Sequence, residues 1–350
     1  MRQQFPDGQL LAMESQPSGV RLSFQTTADV IELTTHPTRI AYRGADRARG
    51  VVDTLVNGSL FDRDTLTGGD VFELDLRSGE SAFASGPPHT TVISELPPGE
   101  NLVELWLPHN ESVELVSLSA DAAIVPDTER RPVWVHHGSS ISHGSNAAAP
   151  TEIWPVVAAR QAGVELHNLG FGGSALVDPF MARVIRDTPA DVISLKLGIN
   201  VVNLDSMRLR AFVPAVHGFL DTIRDGHPAT PIVLVSPIFC GIHESTPGPG
   251  SVDVATLGTD HVRFIATGDP AEVERGKLTL QTIRRELESL VAARDDDPHL
   301  RYLDGTDLYG PVDAARLPLP DGLHPGPEAH RLIGERFAAL GFPARATIDG

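Results

Sequence analysis

Pro132-Val133-Trp134-Val135-His136-His137-Gly138-Ser139-Ser140-Ile141-Ser142-His143-Gly144 is the stretch around which the chain is organised. Val133-Trp134-Val135 is a short apolar run of the kind that makes a buried strand. It breaks at once into small residues. A strand ending in such a turn presents a side chain at the carboxyl edge of a sheet, where open α/β sheets bind ligands. Ser140 is the side chain placed there. A serine hydroxyl alone is a poor nucleophile. It needs a base in hydrogen-bond reach, an orienter behind the base, and donors aimed at the developing oxyanion. Gly-Ser-Ser turns are common and usually inert. This one also departs from the Gly-x-Ser-x-Gly elbow, because Ser142 stands where the second glycine would be.

Downstream of this stretch, strands alternate with helical segments. Helices are expected over Thr151–Gln161, Asp178–Asp187, Met207–Arg224, Glu272–Ala293 and Pro327–Leu340. Strands are expected over Val164–Leu169, Asp191–Leu197, Ile232–Ser236 and Arg301–Leu303. Near-continuous apolar strands in such alternation mark a parallel, doubly wound sheet. Five strands suit an α/β, flavodoxin-like three-layer domain. Residues 239–267 interrupt the pattern with a long Gly- and Pro-rich segment, readable either as a functional lid or as a solvated insertion.

Upstream, residues 1–126 read as all-β. Short runs recur at Val20–Phe24, Val30–Thr34, Val51–Val56, Val71–Leu76, Thr90–Leu96, Leu102–Leu107 and Val113–Leu118, separated by turn clusters such as Asn57-Gly58 and Pro97-Pro98-Gly99. This spacing suggests a sandwich, jelly-roll or carbohydrate-binding-module-like. The runs around Trp106 and Leu115 alternate well enough to be antiparallel neighbours. A polar, Pro-flanked linker at 127–131 then divides a β-sandwich domain, 1–126, from a second domain, 132–350. So short a linker implies that the two touch rather than swing freely.

Composition narrows the functional classes. A net charge of −18 over 350 residues argues against nucleic acid or an anionic membrane as partner. The single cysteine, Cys240, excludes an intramolecular disulfide and a cysteine-clustered zinc site. The first residues contain no apolar h-region, and no apolar run is long enough to span a bilayer, so a cytoplasmic location is expected.

Chemistry-bearing residues fall at four strand ends: Gly138 and Ser140; Asn168 to Ser174; Gly198-Ile199-Asn200; and Asp321-Gly322-Leu323-His324. In a doubly wound sheet these ends share one edge. His324 is the natural base, able to take and return a proton near neutrality. Asp321 can reach its Nδ1 and leave Nε2 facing Ser140. The amides of Gly173 and Ser140 and the side chain of Asn200 are candidate oxyanion donors. Each has a plainer reading: Asn200 as a cap, the glycines as backbone room, Asp321 as a turn former. Four strand ends would then each have to mimic a needed part. Ser139 and Ser142 are rival nucleophiles. His136, His137 and His143 are better read as packing or substrate-facing than as metal ligands. Trp154 reads as core. His143, Phe171, Val201, Phe239 and Cys240 are candidate pocket residues.

The order Gly-x-Ser, Asn-x-x-x-x-Gly, Gly-x-Asn, Asp-x-x-His resembles the four blocks of the SGNH (GDSL-type) hydrolase family, over about residues 132–341. The resemblance implies Ser140 as nucleophile, Gly173 and Asn200 as oxyanion donors, His324 as base and Asp321 as its orienter. It also implies an acyl-serine intermediate, no metal and no cofactor, with acyl-CoA as a conceivable co-substrate. Two departures stand out: Ser139 replaces the acid of Gly-Asp-Ser, and Val201 replaces the Asp that usually follows the block-three Asn. Proteins pairing a β-sandwich with an SGNH domain resemble both carbohydrate deacetylases and acyltransferases that decorate polyketides, salicylyl-type transferases among them. The expected activity is therefore an esterase acting on an ester or thioester of a small or medium acyl group. The alternatives are an acyltransferase from CoA to a hydroxyl of a natural product or sugar, and a catalytically weak carbohydrate-binding protein. The expected partners are a small acyl donor and water or a hydroxyl acceptor.

Overall fold

The computed structural model describes residues 7–43, 47–75, 78–259 and 262–342. Residues 1–6 and 343–350 of the two expected domains, Leu76 of an expected strand and 260–261 of the long segment lie outside the described residues.

The parallel sheet has five strands in the order Glu165–Gly170, Val133–Gly138, Val192–Lys196, Ile232–Val235, Leu300–Leu303. All are parallel, with Trp134 level with Leu166 and Val192, and Leu195 level with Leu234. Alternate residues face opposite layers, as strand geometry requires. Val135, Ile193, Leu195 and Ile232 pack under the helices Pro179–Asp187, Leu209–Arg224 and Leu280–Ala292. Trp134, Val192 and Val233 pack under Trp154–Ala162 and Pro327–Leu340. Trp134 stacks on Phe337 with ring centroids 5.0 Å apart, and Trp154 is fully buried beside them. Helix layers on both faces leave only the strand ends to reach solvent.

Residues 272–293 do not form one helix. Gly276, at φ +90°, closes a 3₁₀ turn over Pro270–Arg275, and Thr279 starts a new helix by accepting a hydrogen bond from the Thr282 N–H. The left-handed backbone and the fresh N-cap outweigh the continuous helical composition.

The N-terminal half forms two sheets. One runs Ile124–Pro126, Arg21–Thr26, Asn101–Trp106, Val51–Val56, Ser59–Thr65. The other runs Ser81–Ala84, Asp70–Leu74, Ile31–Tyr42, His89–Ile93, with Ser112–Ala120 also pairing to Ile31–Tyr42. Pairing is antiparallel, except that Asp70–Leu74 runs parallel to its neighbour. Phe24, Val52, Val103 and Leu105 from the first sheet meet Ile31, Leu33 and Ile93 from the second. The expected pairing of the Trp106 and Leu115 runs is corrected: they lie in different sheets, because the chain crosses the sandwich between Trp106 and Ser112.

Two central strands of the first sheet, Val51–Val56 and Asn101–Trp106, are covered on both faces. Their Leu55 and Trp106 join the Trp154 cluster beneath the parallel sheet. The Arg21 guanidinium forks onto both Glu165 oxygens at 2.9 and 2.6 Å. Buried Asp53 accepts from Arg63 and from both the N–H and hydroxyl of Thr151. A shared apolar cluster, a part-buried ion pair and the bonds from Thr151 to buried Asp53 join the two halves, unlike a mobile tether.

The N-terminal helix is among the elements not expected from sequence. Gly8–Glu14 is a helix, capped by the Asp7 carboxylate on the Leu10 N–H. Its Leu10 and Met13 pack into the core of the parallel-sheet half, beside Phe171 and Val177. The chain's first described element thus crosses the division expected at 127–131.

Candidate active site

Each candidate side chain sits where a parallel strand runs out. Val133–Gly138 leads directly into the short helix Ser140–His143. Ser139 caps this helix: its carbonyl accepts from the Ser142 and His143 N–H groups, and its hydroxyl from the Ile141 N–H at 3.4 Å. The serine that replaces the family's acid therefore holds the turn by local backbone bonds. Ser140 is the first helical residue, and its own N–H is one of the donors a helix start leaves unpaired.

Ser140 Oγ lies 2.8 Å from His324 Nε2. His324 Nδ1 lies 2.7 Å from Asp321 Oδ2. An ionised carboxylate only accepts, so Nδ1 carries the proton and Nε2 is left to accept from the serine. The other Asp321 oxygen accepts from the His324 and Leu323 N–H groups at 2.7 and 2.9 Å. Burial opposes ionisation of Asp321, but the His324 side chain and the two backbone donors outweigh it and hold its carboxyl below the usual range. Asn146 adds a further donor to Oδ2 at 3.1 Å. No sequence motif pointed to Asn146, which reaches Asp321 from just past the Ser140 helix.

Asn200 lies in the first turn of the helix Ile199–Asn203, and its Oδ1 accepts the Ala175 N–H at 3.0 Å. That bond fixes which way the amide faces and leaves its NH₂ as the free end. The Ala175 amide thus supplies the orientation that Val201, in place of the usual Asp, cannot. Gly173, at φ +72°, lies in the turn after Glu165–Gly170. Among the described residues, the Ser140 N–H, the Gly173 N–H and the Asn200 NH₂ have no protein partner.

The rival serines are occupied. Ser142 is fully buried, its hydroxyl 2.8 Å from His136 Nε2, while His136 Nδ1 meets Ser194 Oγ at 2.7 Å. Burial drives His136 well below its ordinary value and His137 to about 4, so both are neutral packing groups. Ser139 is equally buried.

Of the expected pocket residues, four are buried and Phe239 is half-buried. His143 is 4% exposed and bridges the Gly170 carbonyl and the Gln16 side chain. Phe171, Val201 and Cys240 lie within the core cluster, and burial pushes the Cys240 thiol up to about 12. Phe239 is half-buried against the Trp154 cluster. The apolar side chains among them pack between layers. The residues that do approach the Ser–His pair come from elsewhere. Phe264 of the long segment stands 5.6 Å from the His324 ring, and Met13 and Gln9 of the N-terminal helix lie over Gly172 and Gly173. No sequence pattern pointed to the latter, since Leu10-Leu11-Ala12-Met13 is a short apolar run without a period.

Among the described residues no group of three or more His, Cys, Asp or Glu side chains could hold a metal, and no helix is long and apolar enough to cross a membrane.

A parallel five-stranded sheet between helix layers, with a Ser, an Asn and an Asp–His pair at its strand ends, is the SGNH α/β fold. Residues 130–241 match the model of the GDSL-like lipase/acylhydrolase family. The chain is similar to the salicylyl-acyltransferase SsfX3 from a tetracycline biosynthetic pathway at 29% identity, covering 93% of this chain and 84% of that one, with a TM-score of 0.74. The fold is shared with an active-site mutant of a family two carbohydrate esterase from Clostridium thermocellum, at 13% identity, TM-score 0.61, covering 93% and 91% of the two chains. It is shared too with the acetyl xylan esterase Est2A of Butyrivibrio proteoclasticus, at 11% identity, TM-score 0.51, covering 91% and 88%. No curated protein matches the sequence. The matched region is that of a GDSL-type hydrolase/acyltransferase enzyme.

Proposed function

We propose that the protein carries out acyl transfer through an acyl-Ser140 intermediate, with an ester or thioester of a small or medium acyl group as donor. The observation that carries this reading is the continuous relay Ser140 Oγ–His324 Nε2 and His324 Nδ1–Asp321 Oδ2, at 2.8 and 2.7 Å. His324 Nε2 takes the Ser140 proton as Oγ bonds to the acyl carbon. The carbonyl π pair moves to oxygen, where the Ser140 and Gly173 amides and the Asn200 NH₂ receive it. Collapse of that oxyanion breaks the bond to the leaving group, which departs with the proton from Nε2. The incoming hydroxyl gives its proton to Nε2 and attacks the acyl carbon. The bond to Ser140 then breaks, and Oγ recovers the proton. Asp321 stays ionised and holds the ring throughout.

Water as the second nucleophile makes an esterase. A second reading, transfer to a hydroxyl acceptor, is favoured by the likeness to the salicylyl-acyltransferase, which extends over both halves of the chain. The test is intact mass after treatment with a fluorophosphonate, on wild type and Ser140→Ala. One adduct on wild type and none on the variant supports the reading; a folded wild type without an adduct refutes it. Product analysis with 4-nitrophenyl and CoA donors, with and without an alcohol, then separates hydrolysis from transfer.

A further inference from the structure

The N-terminal helix Gly8–Glu14 does more than fill a gap in the core. Gln9 Nε2 donates to the Gly172 carbonyl oxygen at 2.9 Å. That carbonyl and the Gly173 N–H belong to one peptide group. In a planar trans peptide, C=O and N–H point in opposite directions, so holding one end aims the other. The Gly172–Gly173 peptide is in particular need of holding. It joins two glycines in a turn, and neither has a Cβ to oppose rotation of the plane. A hydrogen bond at the oxygen also draws charge along the amide and strengthens its N–H as a donor.

The rest of the helix keeps Gln9 in register. Met13 and Leu10 are anchored in the core beside Phe171. A Cβ built on Gly172 would come within 2.9 Å of Met13 Sδ and 3.6 Å of Ser140 Cβ, and one on Gly173 within 3.5 Å of Gln9 Cγ. The helix therefore lies directly over the loop beside Ser140. Its far end is tied to the sandwich, where Ser15 Oγ meets Ser112 Oγ at 2.7 Å. Gln9 itself is exposed and contributes no core contact.

We propose that Gln9 is a positioning residue of the oxyanion site, which fixes the Gly172–Gly173 peptide so that its N–H faces the acyl oxygen. This rests on the Ser140 reading above. The N-terminal half of the chain then completes the catalytic apparatus from outside the parallel-sheet half.

The experiment compares full-length wild type, Gln9→Leu and Gln9→Lys. Leucine keeps bulk and removes the donor; lysine restores a donor on a long side chain. Each is assayed with 4-nitrophenyl acetate and with its thiono analogue, whose sulfur accepts hydrogen bonds poorly. The expected result is an ester kcat lowered about tenfold in Gln9→Leu, with KM, thionoester kcat and melting temperature changed less than about twofold or not at all, and partial recovery in Gln9→Lys. Ester turnover kept within about twofold of wild type, or ester and thionoester turnover falling together, would overturn the proposal. Phosphonate labelling of wild type separates the two levels. No adduct at Ser140 removes the functional reading and this inference together, whereas an adduct with an indifferent Gln9→Leu removes the inference alone.

Discussion

The ring of Phe264 stands edge-on to the imidazole of His324, with centroids 5.6 Å apart and planes at 80°. The backbone is engaged as well: the Phe264 N–H donates to the Asp321 carbonyl at 2.8 Å. Phe264 belongs to a small antiparallel pair, Gly250–Val252 with Phe264–Ala266, inside the long segment that sequence left open between lid and insertion. At the segment's other end, Arg284 grips the Pro237 and Ile238 carbonyls and the Glu244 carboxylate. The segment is thus built onto the turn that carries Asp321 and His324, with the positive edge of one ring meeting the face of the other.

Phe264→Ala should therefore loosen the imidazole while leaving the sheet intact. An edge-to-face aromatic contact is worth about 0.5–1.5 kcal/mol, so a loss of that size in ring positioning lowers kcat by about two- to tenfold. KM and the circular dichroism spectrum should stay as in wild type. Steady-state kinetics on a nitrophenyl ester decide it, and an unchanged kcat would show that the ring is held by Asp321 alone.

Asp321→Asn makes a sharper demand. The carboxyl of Asp321 titrates below its ordinary value when folded, because the bonds from His324 and from the Leu323 and His324 backbone outweigh burial. An acid with a depressed folded value adds stability that is fully present above its unfolded value, about 4, and lost as pH falls through the folded one. The variant should be less stable than wild type at pH 7, and the gap should close in strong acid. An amide can present NH₂ to Nδ1 and favour the wrong tautomer, so kcat at neutral pH should also fall on the order of 10²–10⁴-fold. Urea unfolding across pH, run beside the kinetics, tests both. A stability gap that does not vary with pH would contradict the linkage.

Sequence carried the parallel-sheet half further than the sandwich, and the reason is physical. Val192–Lys196 and Ile232–Val235 are buried along their whole length and read as near-continuous apolar runs. Ser59–Thr65 is exposed almost throughout, so it shows neither alternation nor an apolar run and was not foreseen. Which strands pair is a matter of where the chain crosses between sheets, and alternation carries no such information; hence the misplaced neighbour of Trp106. The positions of Ser140, Asn200, Asp321 and His324 at one sheet edge were legible because strand ends in a doubly wound sheet must share it. Substrate-facing residues were not. Apolar residues near a motif are equally fit for a pocket or a core, and here Val201, Phe171 and Cys240 lie in the core. The N-terminal helix was invisible because two buried side chains in seven residues, Leu10 and Met13, are too few to show a period.

Lys196 offers a test of what the site's scaffold costs. It ends the strand that leads to Asn200 and is 1% exposed, with no hydrogen-bond partner for Nζ among the described residues. Burial, and then the nearby positive charge of Arg284, lowers it to about 8. A base with a depressed folded value is bound to more protons in the unfolded chain between the two values. Stability from this group is therefore full above its unfolded value of about 10.4, falls as pH drops towards 8, and stays at a constant deficit below that. The deficit is on the order of 3 kcal/mol. Lys196→Met keeps the length and apolar stem without the charge. It should be more stable than wild type by on the order of 1–3 kcal/mol at pH 7, with the advantage shrinking as pH rises from 8 to 10.5. Urea denaturation at pH 7 and pH 10 measures both values. A variant less stable at both would mean that Nζ has a partner, such as an ordered water, whose loss outweighs the relief of the buried charge. A stabilised variant with diminished turnover would instead make Lys196 a case of stability given up for function at the strand end that presents Asn200.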